Sequence, residues 1–181
     1  MRLTMILIVT LTASSAALGQ ETIPLAPNFR IGPAPAEPCR GADLSVRHVS
    51  DDAAMGGQNL SDYAFRNNAA SACTLKGYPS FELLNKAGKL MPRGRAINSR
   101  QLPGDETAGA PELLTLESGK EAVFRVYYNS GGAGHTGKPC PKSRKVKIAA
   151  PGTTRSFILD DEIQSCGKVQ VSAIRKSMGV D

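Results

Sequence analysis

From Cys39 onward, apolar and polar positions alternate with a period of two rather than 3.6. Leu44, Val46 and Val49 sit in a short run with Arg47 and His48 between them. The stretch Leu60 to Arg66 places Tyr63 and Phe65 on one face, and Phe81 and Leu83 flank Glu82. Ala122, Phe124, Val126 and Tyr128 alternate with Val123, Arg125 and Tyr127. Val146 and Ile148 alternate with lysines, and Phe157 to Leu159 is a short apolar run. Val169, Val171 and Ala173 alternate with Lys168, Gln170 and Ser172. Each run predicts a strand. Turn signals separate them: Asn67-Asn68, Gly77, Ala87-Gly88, Pro103-Gly104, Ser118-Gly119, Gly131-Gly132 and Pro151-Gly152. No segment keeps a helical apolar stripe over three turns. Many short strands with regular turns predict an all-β, two-layer antiparallel sandwich.

The first residues follow a different rule. Arg2 supplies a positive start, Leu3 to Leu11 is apolar but too short to span a bilayer, and Ala17-Leu18-Gly19 fits a small-x-small cleavage site. Residues 1–19 therefore read as a signal peptide, with Gln20 as the mature N-terminus. Residues 20–38 carry Pro24, Pro27, Pro33, Pro35 and Pro38. Each removes a backbone donor and fixes φ, so this stretch predicts an extended, flexible leader outside the core. The single sandwich domain is then 39–181. No later segment is apolar enough to cross a membrane, and no stable insertion is expected.

Four cysteines remain: Cys39, Cys73, Cys140 and Cys166. The number is even and the export signal implies an oxidising compartment, so two disulfides are expected. No C-x-x-C pair exists, which speaks against a zinc site. The expected pairing is Cys39–Cys73 and Cys140–Cys166. An antiparallel return from the first strand to the second carries Cys73 back towards Cys39. Cys140 and Cys166 each precede a late strand, which puts both at one end of the sandwich.

Lysine plus arginine number 22 and aspartate plus glutamate 16, a formal +6. Two runs are basic without one acid: residues 86–100, and residues 138–147, which contain Lys142, Arg144, Lys145 and Lys147. On a strand, Lys145 and Lys147 share a face opposite Val146 and Ile148. These four bases form a candidate patch for an anionic partner, or alternatively a solvated outer face that guards an edge strand. Nucleic acid is not an expected partner, because the chain is exported and has no tryptophan, four tyrosines and five phenylalanines to stack on bases.

Catalysis needs a base, a nucleophile or a metal held in place. The only histidines are His48, in a strand, and His135, in a glycine-rich loop. Neither G-x-S-x-G nor H-E-x-x-H occurs, and no Lys-Ser/Thr pair follows the glycines at 131–134. Asp160-Asp161-Glu162 lacks the alternating spacing of a calcium loop and reads, like Asp51-Asp52, as a solvated turn. No cofactor is called for. Two long connections, 98–112 and 129–139, are candidate binding loops.

The stretch Cys73-Thr74-Leu75-Lys76-Gly77-Tyr78-Pro79, preceded by Phe65-Arg66-Asn67-Asn68, resembles a C-x-L-x-G-Y-P signature that follows an F-x-N strand end. It resembles the exported bacterial family catalogued as domain of unknown function 4232. Leu83-Leu84 with Ala87-Gly88, Leu116-Glu117-Ser118-Gly119 before Ala122, and the positions of Cys39, Cys140 and Cys166 fit the same order. The resemblance implies an immunoglobulin-like sandwich outside the cytoplasmic membrane. It implies no reaction, ligand or functional residue. The chain lacks a lipobox cysteine and the tryptophan many members place where Tyr127 and Tyr128 stand. Gly77 permits a positive φ and Pro79 biases Tyr78 to be extended, which points Tyr78 either into the core or onto the surface. The expected function is a non-enzymatic exported module, periplasmic or secreted, that binds an unknown envelope polymer or protein. The alternative is an inhibitor or immunity-type protein acting on an envelope enzyme.

Overall fold

A computed structural model describes residues 36–177 apart from 106–108 and 132–135, with the side chains of residues 54 and 55 also left aside. The expected signal peptide and most of the expected Pro-rich leader lie outside the described residues. The chain divides between Ala34 and Pro35, and the described residues all belong to the second unit. That unit begins before Cys39: the Thr74 amide donates to the Glu37 carbonyl (2.8 Å), and Pro38 bridges to Thr74. The last residues of the expected leader thus pair with the domain, held there by the neighbouring disulfide.

Among the described residues twelve strands make up the fold: β1 (Leu44–Ala54), β2 (Gln58–Asn67), β3 (Cys73–Leu75), β4 (Ser80–Leu84), β5 (Leu90–Arg95), β6 (Ile97–Asn98), β7 (Leu114–Leu116), β8 (Glu121–Asn129), β9 (Lys145–Ala149), β10 (Ser156–Asp160), β11 (Gln170–Val171) and β12 (Arg175–Lys176). One sheet runs β1-β2-β8-β11-β6, with β12 also on β8; a second runs β10-β9-β4-β5; β3 and β7 form a small third. All pairs are antiparallel except β11 with β6. The result is an all-β, immunoglobulin-like sandwich with two disulfides, Cys39–Cys73 and Cys140–Cys166, in the expected pairing. The alternating runs supply the core. Phe124 and Val126 of β8, Tyr63 and Phe65 of β2, Phe81 of β4, and Val146 and Ile148 of β9 are almost fully buried between the sheets. Tyr63 lies 5.2 Å from Phe81 and 5.5 Å from Phe124 by ring centroids, so the aromatic rings join the two layers.

The strands that the hydrophobic pattern does not show are short or irregular. β5 reads Leu-Met-Pro-Arg-Gly-Arg, mostly exposed, and opposes Leu83 alone with Met91 to Gly94. Its irregularity suits an edge strand.

Candidate functional site

A β-bulge organises the first polar cluster. In β1, His48 pairs with Tyr63 and Ser50 with Asp62, leaving Val49 as the extra residue. Regular alternation puts residues three apart on opposite faces; the extra residue puts His48 and Asp51 on the same face. His48 Nε2 is 3.0 Å from Asp51 Oδ1, and the buried Ser61 hydroxyl donates to the same oxygen at 2.5 Å. Ser61 Oγ also lies 3.4 Å from the Tyr128 hydroxyl. The His48 ring meets Tyr63 edge-on at 5.2 Å, and the Tyr63 hydroxyl donates to Asp161 at 2.7 Å. Burial, then the charge of Asp161, pushes Tyr63 far above the ordinary tyrosine range. Burial raises Tyr128 as well, with the Ser61 contact pulling the other way. The order of the cluster is serine, aspartate, histidine. In a hydrolase relay the imidazole stands between the other two and takes the serine proton. Here the carboxylate occupies the middle and holds both neighbours, so the set braces the hairpin.

A second cluster fixes residues 98–105, the described first part of the loop 98–112, to the outer face of the larger sheet. Arg125 of β8 donates twice to Asp62, at 2.7 Å each, and lies 3.9 Å from Asp52. Asp105, with only 1% of its side chain exposed, meets Arg175 at 3.0 Å and Arg125 at 3.7 Å. The hydrogen bonds to Asp62 hold Arg125 charged beyond the usual arginine range, against the opposing effect of burial. Leu102 is buried beside it, and Asp105 N–H donates to its carbonyl. Sequence reading missed Asp105, since its partners come from β8 and β12. A groove of about 390 Å³ opens between Gly109–Leu114 and Ser172–Lys176, and Leu113 beside it is 67% exposed. The described part of 129–139 is anchored where Ser130 N–H donates to Gly57 O (2.7 Å) and by Cys140–Cys166. His135 and the glycines at 132 and 134 lie outside the described residues.

The structure gives each base of the predicted patch a carboxylate. Lys142 and Arg144 both meet Glu162, Lys145 lies 3.8 Å from Asp160, and Lys147 lies 3.5 Å from Glu82. Runs without acids in sequence acquire them across strands, because the register sets Asp160 and Glu82 opposite Lys145 and Lys147. The acidic cluster 160–162 therefore disperses: one carboxylate to Lys145, one to Tyr63, one to Lys142 and Arg144. Among the described residues no three His, Cys, Asp or Glu gather as for a metal ion.

Fold and clusters together define a sandwich stapled by disulfides, with charged networks on its outer faces. The family described as "Domain of unknown function (DUF4232)" matches residues 39–175, and the chain belongs to it. No curated protein and no solved structure matches. The residues that carry the resemblance serve the fold. Asn67 is fully buried; its amide donates to Ser71 O and Leu116 O, and its oxygen accepts from Ala69 N–H. Cys73 forms a disulfide, Leu75 and Pro79 are buried, and Tyr78 is half-buried. Gly77 has φ 120°, and a Cβ there meets Pro151 at 3.3 Å, so both its conformation and its surroundings favour glycine.

Proposed function

We propose that the chain is an exported, non-enzymatic binding module, periplasmic or secreted, whose partner is an envelope polymer or protein. Two disulfides support a location outside the reducing cytoplasm, and the residues 1–19 support delivery by a signal peptide. The observation that carries the reading is the loop 98–112. Buried Leu102 and the Asp105–Arg175 pair fasten its first part to the sheet, and exposed Leu113 lines a groove against Ser172–Lys176, the segment that carries Arg175. An exposed apolar side chain beside a groove is the kind of anchor a recognition surface uses. A photo-cross-linking residue in place of Leu113, in the native envelope, tests this. The expected result is a discrete adduct on a chain whose mature form begins at Gln20. An adduct with one stoichiometric hydrolase selects the inhibitor or immunity-type reading instead. A mature chain that retains Met1 and gives no adduct ends both.

A further inference from the structure

The outer face of the four-stranded sheet consists of cross-strand rows. Register places Asp160, Lys145, Leu84 and Leu90 in one row, and Ile158, Lys147, Glu82 and Arg95 in the next. Its carboxylates are shared. Glu82 serves both Lys147 and Arg95, and Glu162 serves both Lys142 and Arg144, while Asp160 meets Lys145. One carboxylate cannot neutralise two cations, so the face keeps a positive surplus. The adjoining hairpin adds exposed Lys86, Lys89 and Arg93 with no ion pair among the described residues. Asp161, the next acid, is turned onto the Tyr63 hydroxyl. On the other sheet the charges come closer to balance: Arg125 meets Asp52, Asp62 and Asp105, Arg175 also meets Asp105, and Glu121 pairs with Arg47 while also facing Arg66. Two aliphatic side chains stand among the cations of the first face, Ile158 at 58% and Leu90 at 44% exposure.

We propose that this face docks peripherally on an anionic phospholipid bilayer. Lysine and arginine meet the headgroup phosphates while Ile158 and Leu90 rest at the acyl boundary. Exposed aliphatics among bases on one sheet face fit a lipid interface, where apolar contact and charge act together. A soluble polyanion has no use for the aliphatic pair. The inference rests on the reading of the chain as a binding module outside the cytoplasm and names its partner class.

The test is flotation of the purified mature chain with vesicles of phosphatidylcholine alone and of equimolar phosphatidylcholine and phosphatidylglycerol. Binding is expected only to the anionic vesicles and is expected to fall as salt rises. Lys86→Glu with Lys89→Glu should weaken it at least about twenty-five-fold, roughly fivefold for each lysine lost. Lys76→Glu with Lys120→Glu makes the same change of net charge away from this face and should leave binding nearly unchanged. Ile158→Ser should weaken binding with the charge untouched. Equal losses in the two double variants, or equal binding to neutral vesicles, overturn the proposal. So does competition by soluble polyglutamate with no effect of Ile158→Ser, which assigns the face to a polyanion. Absence of vesicle binding at low salt ends the lipid assignment alone, since the Leu113 cross-link tests the module reading independently.

Discussion

Tyr63 joins the aromatic core to the polar edge: its ring packs between Phe81 and Phe124, and its hydroxyl reaches Asp161. Its pKa is raised in the fold by burial and by Asp161. In the unfolded chain a tyrosine titrates near 10. Above that pH the unfolded state loses a proton that the folded state keeps, so stability falls as pH rises. The contribution is complete below about pH 10 and declines above it by ~1.4 kcal/mol per pH unit for each such group. Tyr128, shifted the same way, steepens the fall. Tyr63→Phe should cost about 1–2 kcal/mol at neutral pH, the worth of a hydrogen bond to a carboxylate that can partly recover water. It should also flatten the alkaline decline. Urea unfolding at a series of pH values checks both, and parallel curves for wild type and variant would remove Tyr63 from the explanation. The inward direction of Tyr63 was legible from alternation in sequence. Its partner was not, because Asp161 lies on a distant loop and reads locally as one acid in a solvated turn.

The strands divide by what alternation can reveal. β8 and β9 alternate cleanly because one face is core and the other turns outward, and their inward residues are the ones the pattern assigns; β2 buries Tyr63 and Phe65 as the pattern assigns, but also Ser61, Ala64 and Asn67. β3, β6, β7 and β12, with two or three residues each, are too short to show a period, whereas the equally short β11 lies inside the alternating run Val169–Ala173 and was legible from it. β1 and β5 depart from it through bulges. The spacing of Val46 and Val49 is odd because Val49 is the extra residue, and this shift brings His48 onto the face of Asp51. In β5 the irregularity has a tight point at Gly94. A Cβ there lies 2.8 Å from Leu83 O and 2.9 Å from Met91 O, both backbone atoms that cannot swing away. Gly94→Ala should therefore destabilise the fold by about 1–3 kcal/mol, as overpacking does. Beside it, Arg93 holds φ 60°, a conformation that costs an ordinary residue roughly 1–2 kcal/mol. Arg93→Gly should be neutral or slightly stabilising, since relief of that cost offsets the added freedom of the unfolded chain. Thermal melts of the two variants should move in opposite directions or only the first should move. A loss of equal size in both would mean that the hairpin, and not the close approach, sets the effect.

The two disulfides act on the whole molecule. Cys39 and Cys73 are 34 residues apart in sequence with Cα atoms 4.8 Å apart, and Cys140 and Cys166 are 26 residues apart with Cα atoms 4.6 Å apart. Each bridge fastens a place that the sheets hold weakly. The first ties the segment entering β1 to β3, which among the described residues has the short β7 as its one strand partner. The second ties the end of loop 129–139 to the chain before β11, where Cys166 N–H donates to Asn129 O. Closing loops of these lengths removes about 3.5–4 kcal/mol of entropy from the unfolded chain in the loop-closure picture. Against a typical stability of ~5–15 kcal/mol, either bridge is a substantial share. Cys39→Ser with Cys73→Ser should then lower the melting temperature by roughly 10 °C, taking ~3 kcal/mol and the slope usual for a domain of this size. Cys39→Ser alone should do the same and leave a thiol on Cys73 that forms mixed disulfides between chains. Non-reducing peptide mapping of the wild type should return only the Cys39–Cys73 and Cys140–Cys166 bridged peptides. A double variant that melts with the wild type would show that the pairing of Pro38 and Thr74, rather than the covalent bond, holds this corner of the fold.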